Sequence, residues 1–202
     1  MWGYTIDFYN GTPSIYKTSD GGNSWATIQL PLLPGSGSLH SIDFTADEIL
    51  EISKIGGQFP GQRSLLCEDI LPDIYEEFYK KISSFIPNDT VTVNALFQKQ
   101  TKDDFRIIHQ DRKPFLAGVI YLDNKPVVNT GTCFYKHKET GWDGSPEMPE
   151  NVNMTDKTSF EKTSILENKF NRMIMYDANM LHSAEGAEDE RLTLAFFVYS
   201  GK

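Results

Sequence analysis

The stretch that decides the fold is "FRIIHQDRKPFLAGVIYL", which runs from Phe105 to Leu122. Its β-branched and aromatic residues predict two strands, "DFRIIHQD" and "PFLAGVIYLD", on either side of a turn. His109 and Asp111 stand two residues apart in the first strand, so both side chains are expected on one face. An imidazole and a carboxylate that converge suit a divalent metal. Taken alone, however, the pair indicates no more than two polar residues where a strand meets a turn.

Segments of the same character follow along the chain and predict a mainly β protein. They are "TVTVNALFQ", "TGTCFYKHK", "KFNRMIMYD" and "RLTLAFFVY". The region before them, 41–85, has a helical pattern: "TADEILEISKI" with Thr45 as N-cap, and "LLCEDILPDIYEEFYKKISSF", whose main helix is expected to begin at Pro72. We therefore expect an α+β fold, mainly β, in which a sandwich or jelly roll carries helices packed on one face.

The N-terminal residues 1–40 are expected to form an extension to a main domain of residues 41–202. Their "TSDGGNSW", from Thr18 to Trp25, resembles the Asp-box of sialidases and related β-propellers, Ser/Thr-x-Asp-x-Gly-x-Ser/Thr-Trp. Such a box is a structural turn, and one blade cannot close a propeller. We predict a single β-hairpin, followed by the Pro/Gly/Ser-rich linker "PLLPGSGS".

Composition excludes several classes of partner. A formal charge of −9 disfavours nucleic acid and anionic membranes, while 39% hydrophobic residues suffice for a core. No apolar run approaches the ~20 residues that span a bilayer, and the first residues lack a signal-peptide pattern. Cys67 and Cys133 show no CxxC spacing, so neither a thiolate zinc site nor a disulfide framework is indicated. We expect a soluble, cytoplasmic protein.

A third metal ligand is expected to be a histidine from another strand, with three candidates. His40 lies in the linker region, and His137 stands between two lysines that would repel a cation. His182 follows an apolar strand and a short "DAN" turn, so it is predicted to begin a new strand. Arg191 then opens the otherwise apolar "RLTLAFFVY", where a buried guanidinium needs an anionic partner.

The ordered set of His109, Asp111, His182 and Arg191 resembles the Fe(II)/2-oxoglutarate-dependent dioxygenases. Their pattern is His-x-Asp, a long gap, a distal histidine, and an arginine or lysine about ten residues later. "GVIYL" is similar to the strand after His-x-Asp in prolyl-hydroxylase-like members, and "FPGQRS" to a segment of little-characterised members. The resemblance spans roughly residues 41–200. "NTGTCFY" departs from the family, which often has Gly-Gly-Thr there, so the subfamily stays open.

The resemblance implies a double-stranded β-helix (jelly roll) and a role for each residue. The two histidines and Asp111 would hold Fe(II), leaving positions for 2-oxoglutarate and O2, with succinate and CO2 as products. Arg191 would bind the distal carboxylate of the cosubstrate by its fork geometry. Thr193 would add a hydroxyl, and Tyr121 matches a tyrosine that touches the same carboxylate. Strand propensity explains the presence of Thr193 equally well. Core packing explains the presence of Tyr121 better than a contact with the cosubstrate does.

Two other functions stay open at this stage. One is a cupin-like metal-binding protein without 2-oxoglutarate, and the other is a non-catalytic binding module that uses the Asp-box hairpin. Asp111 argues against a halogenase, since those members replace this carboxylate with a small residue.

The substrate is expected to be a peptide side chain, a free amino acid or another small molecule. The polar span 139–169 is where specificity is predicted to lie. Trp142 is either a substrate contact or a packing residue there. The sequence does not indicate an oligomeric state.

Overall fold

A computed structural model describes residues 3–7, 14–18, 26–29, 60–86, 90–123, 126–145, 147–186 and 190–201. These ranges contain eleven strands, two α-helices and a short 3₁₀-helix, Lys157–Ser159. The helices are α1 (Cys67–Ile70) and α2 (Pro72–Ser83). The strands are β1 (Gly3–Asp7), β2 (Ser14–Thr18), β3 (Ala26–Gln29), β4 (Gln62–Leu66), β5 (Val91–Thr101), β6 (Leu116–Tyr121), β7 (Gly131–His137), β8 (Phe160–Glu167), β9 (Met173–Asp177), β10 (His182–Glu185) and β11 (Glu190–Ser200).

The strands form two antiparallel sheets. The large sheet has the order β3-β2-β1-β9-β6-β11-β5-β4, and the small sheet has the order β10-β7-β8. Because β1 pairs with β9, the N-terminal strands continue the large sheet. Strands β2 and β3 are antiparallel neighbours, and the Asp-box residues that would connect them, 19–25, lie outside the described ranges. The division of the chain at residue 40 stays a prediction.

The helices cover one face of the large sheet. α2 begins at Pro72, as the sequence predicts, and its apolar side buries Phe78 and Ile82. The ring of Phe78 packs edge-on against Phe196 of β11, with 5.3 Å between centroids. The hydroxyl of Tyr75 donates to a carbonyl of β5 at 2.6 Å. The helix predicted around Thr45 lies outside the described ranges, and no helix within them is long and apolar enough to span a membrane.

The small sheet packs against the other face of the large one. Phe134 of β7 meets Tyr176 of β9 edge-on, with centroids 5.2 Å apart. The side chains of β11 alternate accordingly: Phe196 and its neighbours at even positions join the helix-side core, while Arg191 and Thr193 face the small sheet. The space between the sheets therefore receives polar side chains from an otherwise apolar strand.

Three sequence predictions of secondary structure were wrong. Residues 104–111 form no strand, because only His109 makes a bridge, to His182. Residues 62–66 form β4 at the edge of the large sheet, inside a region predicted to be helical. The polar span 139–169 contains β8, which begins at the buried Phe160 and is half-buried over residues 163–166.

The first part of that span covers the outer face of the small sheet. Trp142 and Val152 are buried in one apolar cluster with Phe160 and Leu181. Trp142 is therefore a packing residue, and no described residue of 139–169 lines the cavity between the sheets.

Candidate metal centre

The main chain holds His109, Asp111 and His182 in register with one another. His109 and His182 each donate their backbone N–H to the carbonyl of the other, both at 3.0 Å. The backbone N–H of Asp111 donates to the carbonyl of Ala178 at 2.8 Å. The predicted His-x-Asp pair is thus fixed directly to the segment that carries the distal histidine, which begins β10 as the sequence predicts.

The three side chains converge on one point. One potential ligand atom from each lies within 4.8 Å of the other two. Nε2 of His182 is 3.3 Å from one oxygen of Asp111, and Nε2 of His109 is 3.7 Å from the other. The two imidazole rings are 4.3 Å apart between centroids. Two nitrogen donors and one carboxylate at these separations form a donor set for a divalent metal that leaves further positions open.

Both imidazoles present the same nitrogen to the centre. Nδ1 of His109 lies 3.1 Å from the carbonyl of Ile107, and Nδ1 of His182 lies 2.8 Å from that of Met180. A carbonyl only accepts, so the neutral rings carry their proton on Nδ1 and leave the Nε2 lone pair for a metal. The ring of Tyr176 also packs on His182, with 4.8 Å between centroids, and restricts its rotation.

The electrostatics favour the protonation states that bind metal. Burial, aided by the neighbouring His182, lowers the pKa of His109 to about 4, so this imidazole is neutral at pH 7. Burial acts to raise the pKa of Asp111. The neighbouring His182, His109 and Arg63 together outweigh burial and lower that pKa. Asp111 is therefore an ionised carboxylate at neutral pH.

A cavity of about 80 Å³ connects the three ligands with Arg191. The Arg191 side chain is 6% exposed. It donates from Nη1 to the carbonyl of Gly131 at 2.9 Å and from Nη2 to Gln100. A Cβ on Gly131 would lie 2.1 Å from the carbonyl oxygen of Leu166, so glycine is required where this carbonyl meets the guanidinium.

The charge of Arg191 lacks an anionic partner in the described part of the chain. No carboxylate there lies within ion-pair distance of the guanidinium, and its buried Nε–H has no hydrogen-bond acceptor. Burial lowers the pKa of Arg191, but arginine stays protonated at neutral pH. A buried cation with an unused donor that lines a cavity is suited to receive an anion from outside the protein.

The structure locates Thr193 and Tyr121 differently with respect to the cavity. Thr193 lines it, and its hydroxyl makes only a long contact, 3.5 Å, to the carbonyl of Gln98. Tyr121 is fully buried and does not line it. Its hydroxyl bonds the hydroxyl of Thr132 at 2.8 Å and the carbonyl of Leu166 at 3.2 Å. A contact between Tyr121 and the cosubstrate stays a prediction.

The other histidine candidates take no part in this centre. His40 lies outside the described residues. His137 is buried rather than solvated: its ring packs against Phe160, with 5.4 Å between centroids, and Nδ1 lies 3.1 Å from the hydroxyl of Thr140.

Sequence reasoning missed several polar residues that line the cavity, among them Arg63, Gln98, Gln100 and Arg106. For the glutamines a signal was present, because they stand two apart in an apolar strand and so share a face. Gln100 pairs with Arg191, and Gln98 pairs with Thr193, in the register of β5 and β11. The resemblance of "FPGQRS" included Arg63 without giving it a role, and no local pattern marked Arg106.

Residues 143–195, a range that includes His182 and Arg191, match the model of a family described as "Family of unknown function (DUF6445)". No curated protein matches the chain in sequence.

Several solved structures resemble the protein. HygX from Streptomyces hygroscopicus, in a structure with nickel, 2-oxoglutarate and hygromycin B bound, has a TM-score of 0.53 at 12% identity, covering 76% of each chain. A Pseudomonas putida prolyl-4-hydroxylase has a TM-score of 0.48 at 12% identity, covering 78% of this chain and 83% of its own. AviO1 from Streptomyces viridochromogenes Tue57 has a TM-score of 0.47 at 15% identity, covering 72% and 70%. The likeness to HygX is one of fold.

Proposed function

We propose that this protein is an Fe(II)- and 2-oxoglutarate-dependent dioxygenase that hydroxylates a peptide side chain, an amino acid or another small molecule. The observation that carries the proposal is a single cavity lined by two histidines, one carboxylate and a buried arginine without an anionic partner in the described residues. The fold shared with HygX, whose structure contains 2-oxoglutarate and nickel, supports it. Two antiparallel sheets packed face to face support a double-stranded β-helix.

The donor set fits the metal, because a two-histidine, one-carboxylate triad with open positions is the arrangement used by non-haem Fe(II) oxygenases. His109, Asp111 and His182 would hold the ion. When bound, iron and 2-oxoglutarate supply oxidation: with O2, the cosubstrate yields succinate and CO2, and one oxygen atom enters the substrate as a hydroxyl group. The carbonyls that accept from Nδ1 keep both imidazoles oriented and raise their basicity.

Arg191 would bind the distal carboxylate of 2-oxoglutarate. Its guanidinium presents a planar fork that matches a carboxylate, and its Nε–H is available. Thr193 stands two residues further on the same face, and its long contact with Gln98 leaves the hydroxyl able to donate. Tyr121 would act through Thr132, because its hydroxyl holds the Thr132 hydroxyl at the cavity wall.

The proposal is tested by succinate formation. Purified protein is incubated aerobically with Fe(II) and 2-oxoglutarate, and succinate is measured with and without candidate substrates. Binding is measured separately, by calorimetry of 2-oxoglutarate added to protein loaded with redox-inert Zn(II). If the zinc-loaded protein does not bind 2-oxoglutarate and no succinate forms, the proposal is wrong.

The cupin-like alternative shares the metal site but has no cosubstrate. It predicts that His182→Ala abolishes metal binding, whereas Arg191→Met changes no binding at all. The dioxygenase proposal predicts that Arg191→Met retains metal and loses 2-oxoglutarate. The non-catalytic alternative, which uses the Asp-box hairpin, predicts no succinate at all.

A further inference from the structure

We propose, on the basis of the dioxygenase function above, that the substrate is a small organic anion whose carboxylate or phosphate group is bound by Arg63 and Arg106. Both side chains line the cavity that contains the metal ligands and Arg191. Three of the five arginines in the chain therefore face one cavity, and none of its lysines does so in the described residues. Arginine is the side chain best suited to bidentate recognition of carboxylates and phosphates.

The two arginines reach the cavity from different elements. Arg63 lies on β4 and pairs in register with Gln98, which pairs in turn with Thr193. Arg63 thus occupies the same row across the sheet as two other polar lining residues. Arg106 lies in the extended segment before His109, and its Nη2 donates to the carbonyl of Thr101 at 2.9 Å. Its Nε–H is buried and has no acceptor in the described residues.

The described lining of the cavity has more positive than negative side chains. It contains three arginines and one carboxylate, Asp111. A divalent metal would add two positive charges and 2-oxoglutarate two negative ones, so binding both leaves the excess of arginines over carboxylates in this lining unchanged. Leaving like charges together in a partly desolvated cavity is unfavourable. The chain as a whole carries a charge of −9, so the positive cavity is a local feature and not the general surface.

The apolar part of the cavity wall indicates the character of the rest of the ligand. Val119, Ala195 and Phe197 line the cavity with apolar side chains, and Val119 pairs with Ala195 in the register of β6 and β11. An anionic group at the arginines with an apolar skeleton against this wall matches the lining. Burial lowers the pKa of Arg63 while Asp111 acts to raise it, so the arginine is within electrostatic reach of the metal ligands.

The experiment uses three probes of similar shape: benzoate, phenyl phosphate and the uncharged benzamide. Each is titrated by calorimetry into Zn(II)-loaded full-length protein, with and without saturating 2-oxoglutarate, at constant ionic strength. At least one anion is expected to bind about tenfold or more tightly than benzamide, with or without 2-oxoglutarate. The anion that binds better distinguishes a carboxylate from a phosphate substrate.

Three variants assign the anion to the arginines. Arg63→Met and Arg106→Met are each expected to weaken the anion about tenfold or more while 2-oxoglutarate and zinc still bind. Arg63→Lys, which keeps the charge but loses the fork, should fall between wild type and Arg63→Met. Arg112→Met is the matched control, because Arg112 is exposed and does not line the cavity. Thermal denaturation establishes that each variant is folded.

The outcomes separate this proposal from the one on which it rests. Equal binding of benzamide and both anions, or unchanged anion binding in Arg63→Met, Arg63→Lys and Arg106→Met, overturns the assignment of an anionic substrate. Loss of 2-oxoglutarate instead of the anion in these variants also overturns it, because the arginines would then belong to the cosubstrate. Failure of wild-type protein to bind 2-oxoglutarate overturns the dioxygenase function, while the titrations without 2-oxoglutarate still test the arginines.

Discussion

Replacing Arg191 with methionine is expected to separate cosubstrate binding from metal binding. Methionine keeps an unbranched apolar stem but removes all five N–H donors of the guanidinium. In the native protein one donor bonds the carbonyl of Gly131 and another bonds Gln100, which leaves the Nε–H and one hydrogen on each terminal nitrogen. A carboxylate needs two of these. The structure therefore provides enough donors for a bidentate contact without breaking the existing ones.

The magnitude follows from that count. Hydrogen bonds to charged groups contribute about 1.5–3 kcal/mol each, so two of them give about 3–6 kcal/mol. That range corresponds to a change of roughly 10²- to 10⁴-fold in Kd. We expect the lower end, about 100-fold, because the guanidinium stays shared with Gly131 and Gln100 when the ligand is bound.

The assay is calorimetry of 2-oxoglutarate added to Zn(II)-loaded Arg191→Met, with Arg112→Met as the control for loss of a positive charge. Zinc affinity should be unchanged, since Arg191 is not one of the three ligands. The free energy of unfolding, measured in urea, should stay close to wild type, because relief of a buried cation opposes the loss of two hydrogen bonds. A decrease in affinity of less than about tenfold would refute the role of Arg191.

Three further predictions concern stability and reactivity. Gly118→Ala should lower the free energy of unfolding by about 1–3 kcal/mol, because a Cβ would lie 2.3 Å from the carbonyl oxygen of Ile174; urea denaturation measures it, and an unchanged value would mean that the close approach relaxes without loss. Zn(II) at about 100 times its Kd should raise the free energy of unfolding by about 2.7 kcal/mol and the Tm by roughly 5–11 °C. In a thermal melt, Asp111→Asn should lose most of that shift. An equal shift in the wild-type and Asp111→Asn proteins would contradict the metal site. Burial raises the pKa of Cys67 and Cys133 to about 11, so neither thiol should react with a disulfide reagent at pH 8 until guanidinium unfolds the chain. Rapid reaction of the native protein at pH 8 would contradict the burial of the thiols. As pH rises from about 9 to 11, the thiols lose their protons in the unfolded chain before they do so in the folded protein, so their titration should lower the free energy of unfolding across that range.

The sequence was most informative where the chemistry was local or the order of residues was specific. His109 and Asp111 are two residues apart, and His182 and Arg191 follow them in the order of the family that the sequence resembles. The structure places all four around one cavity, while their roles stay a prediction. The start of α2 at Pro72 was also predictable, since proline has no N–H to lose at the first turn of a helix.

The segment 104–111 was mispredicted because β propensity does not supply a neighbouring strand. Phe105 and Ile107 have the residue types of a strand, yet they are 52% and 47% exposed. Only His109 makes a β-bridge there. The prediction of a strand depended on side-chain type, whereas a strand forms only where the edge of another strand is available for backbone hydrogen bonds.

Neither Arg63 nor Arg106 was predicted to line the cavity, because the resemblance of "FPGQRS" assigned Arg63 no role and no motif includes Arg106. Arg63 lies within a polar stretch and Arg106 within an apolar one. Their importance depends on the pairing of β4 with β5 and on the path of the segment before His109. The β4–β5 pairing and the bridge of His109 to His182 join residues far apart in the chain, and a single sequence does not specify such contacts.

Successive side chains of strands β5 and β11 point to opposite faces of the large sheet. One face packs in the hydrophobic core, and the other lines the cavity. On one face, Phe97 and Phe196 join the core beneath the helices. On the other face, both strands have polar residues at the cavity, and the register sets Gln100 beside Arg191 and Gln98 beside Thr193. Buried polar side chains lower stability unless they are hydrogen-bonded, and although Arg191 bonds Gln100, its Nε–H has no acceptor in the described residues. We attribute this row of polar residues to the proposed ligand rather than to folding. Substitutions along both strands should accordingly alternate in effect. Those at core-facing residues should change the free energy of unfolding, and those at cavity-facing residues should change the affinity for the ligand.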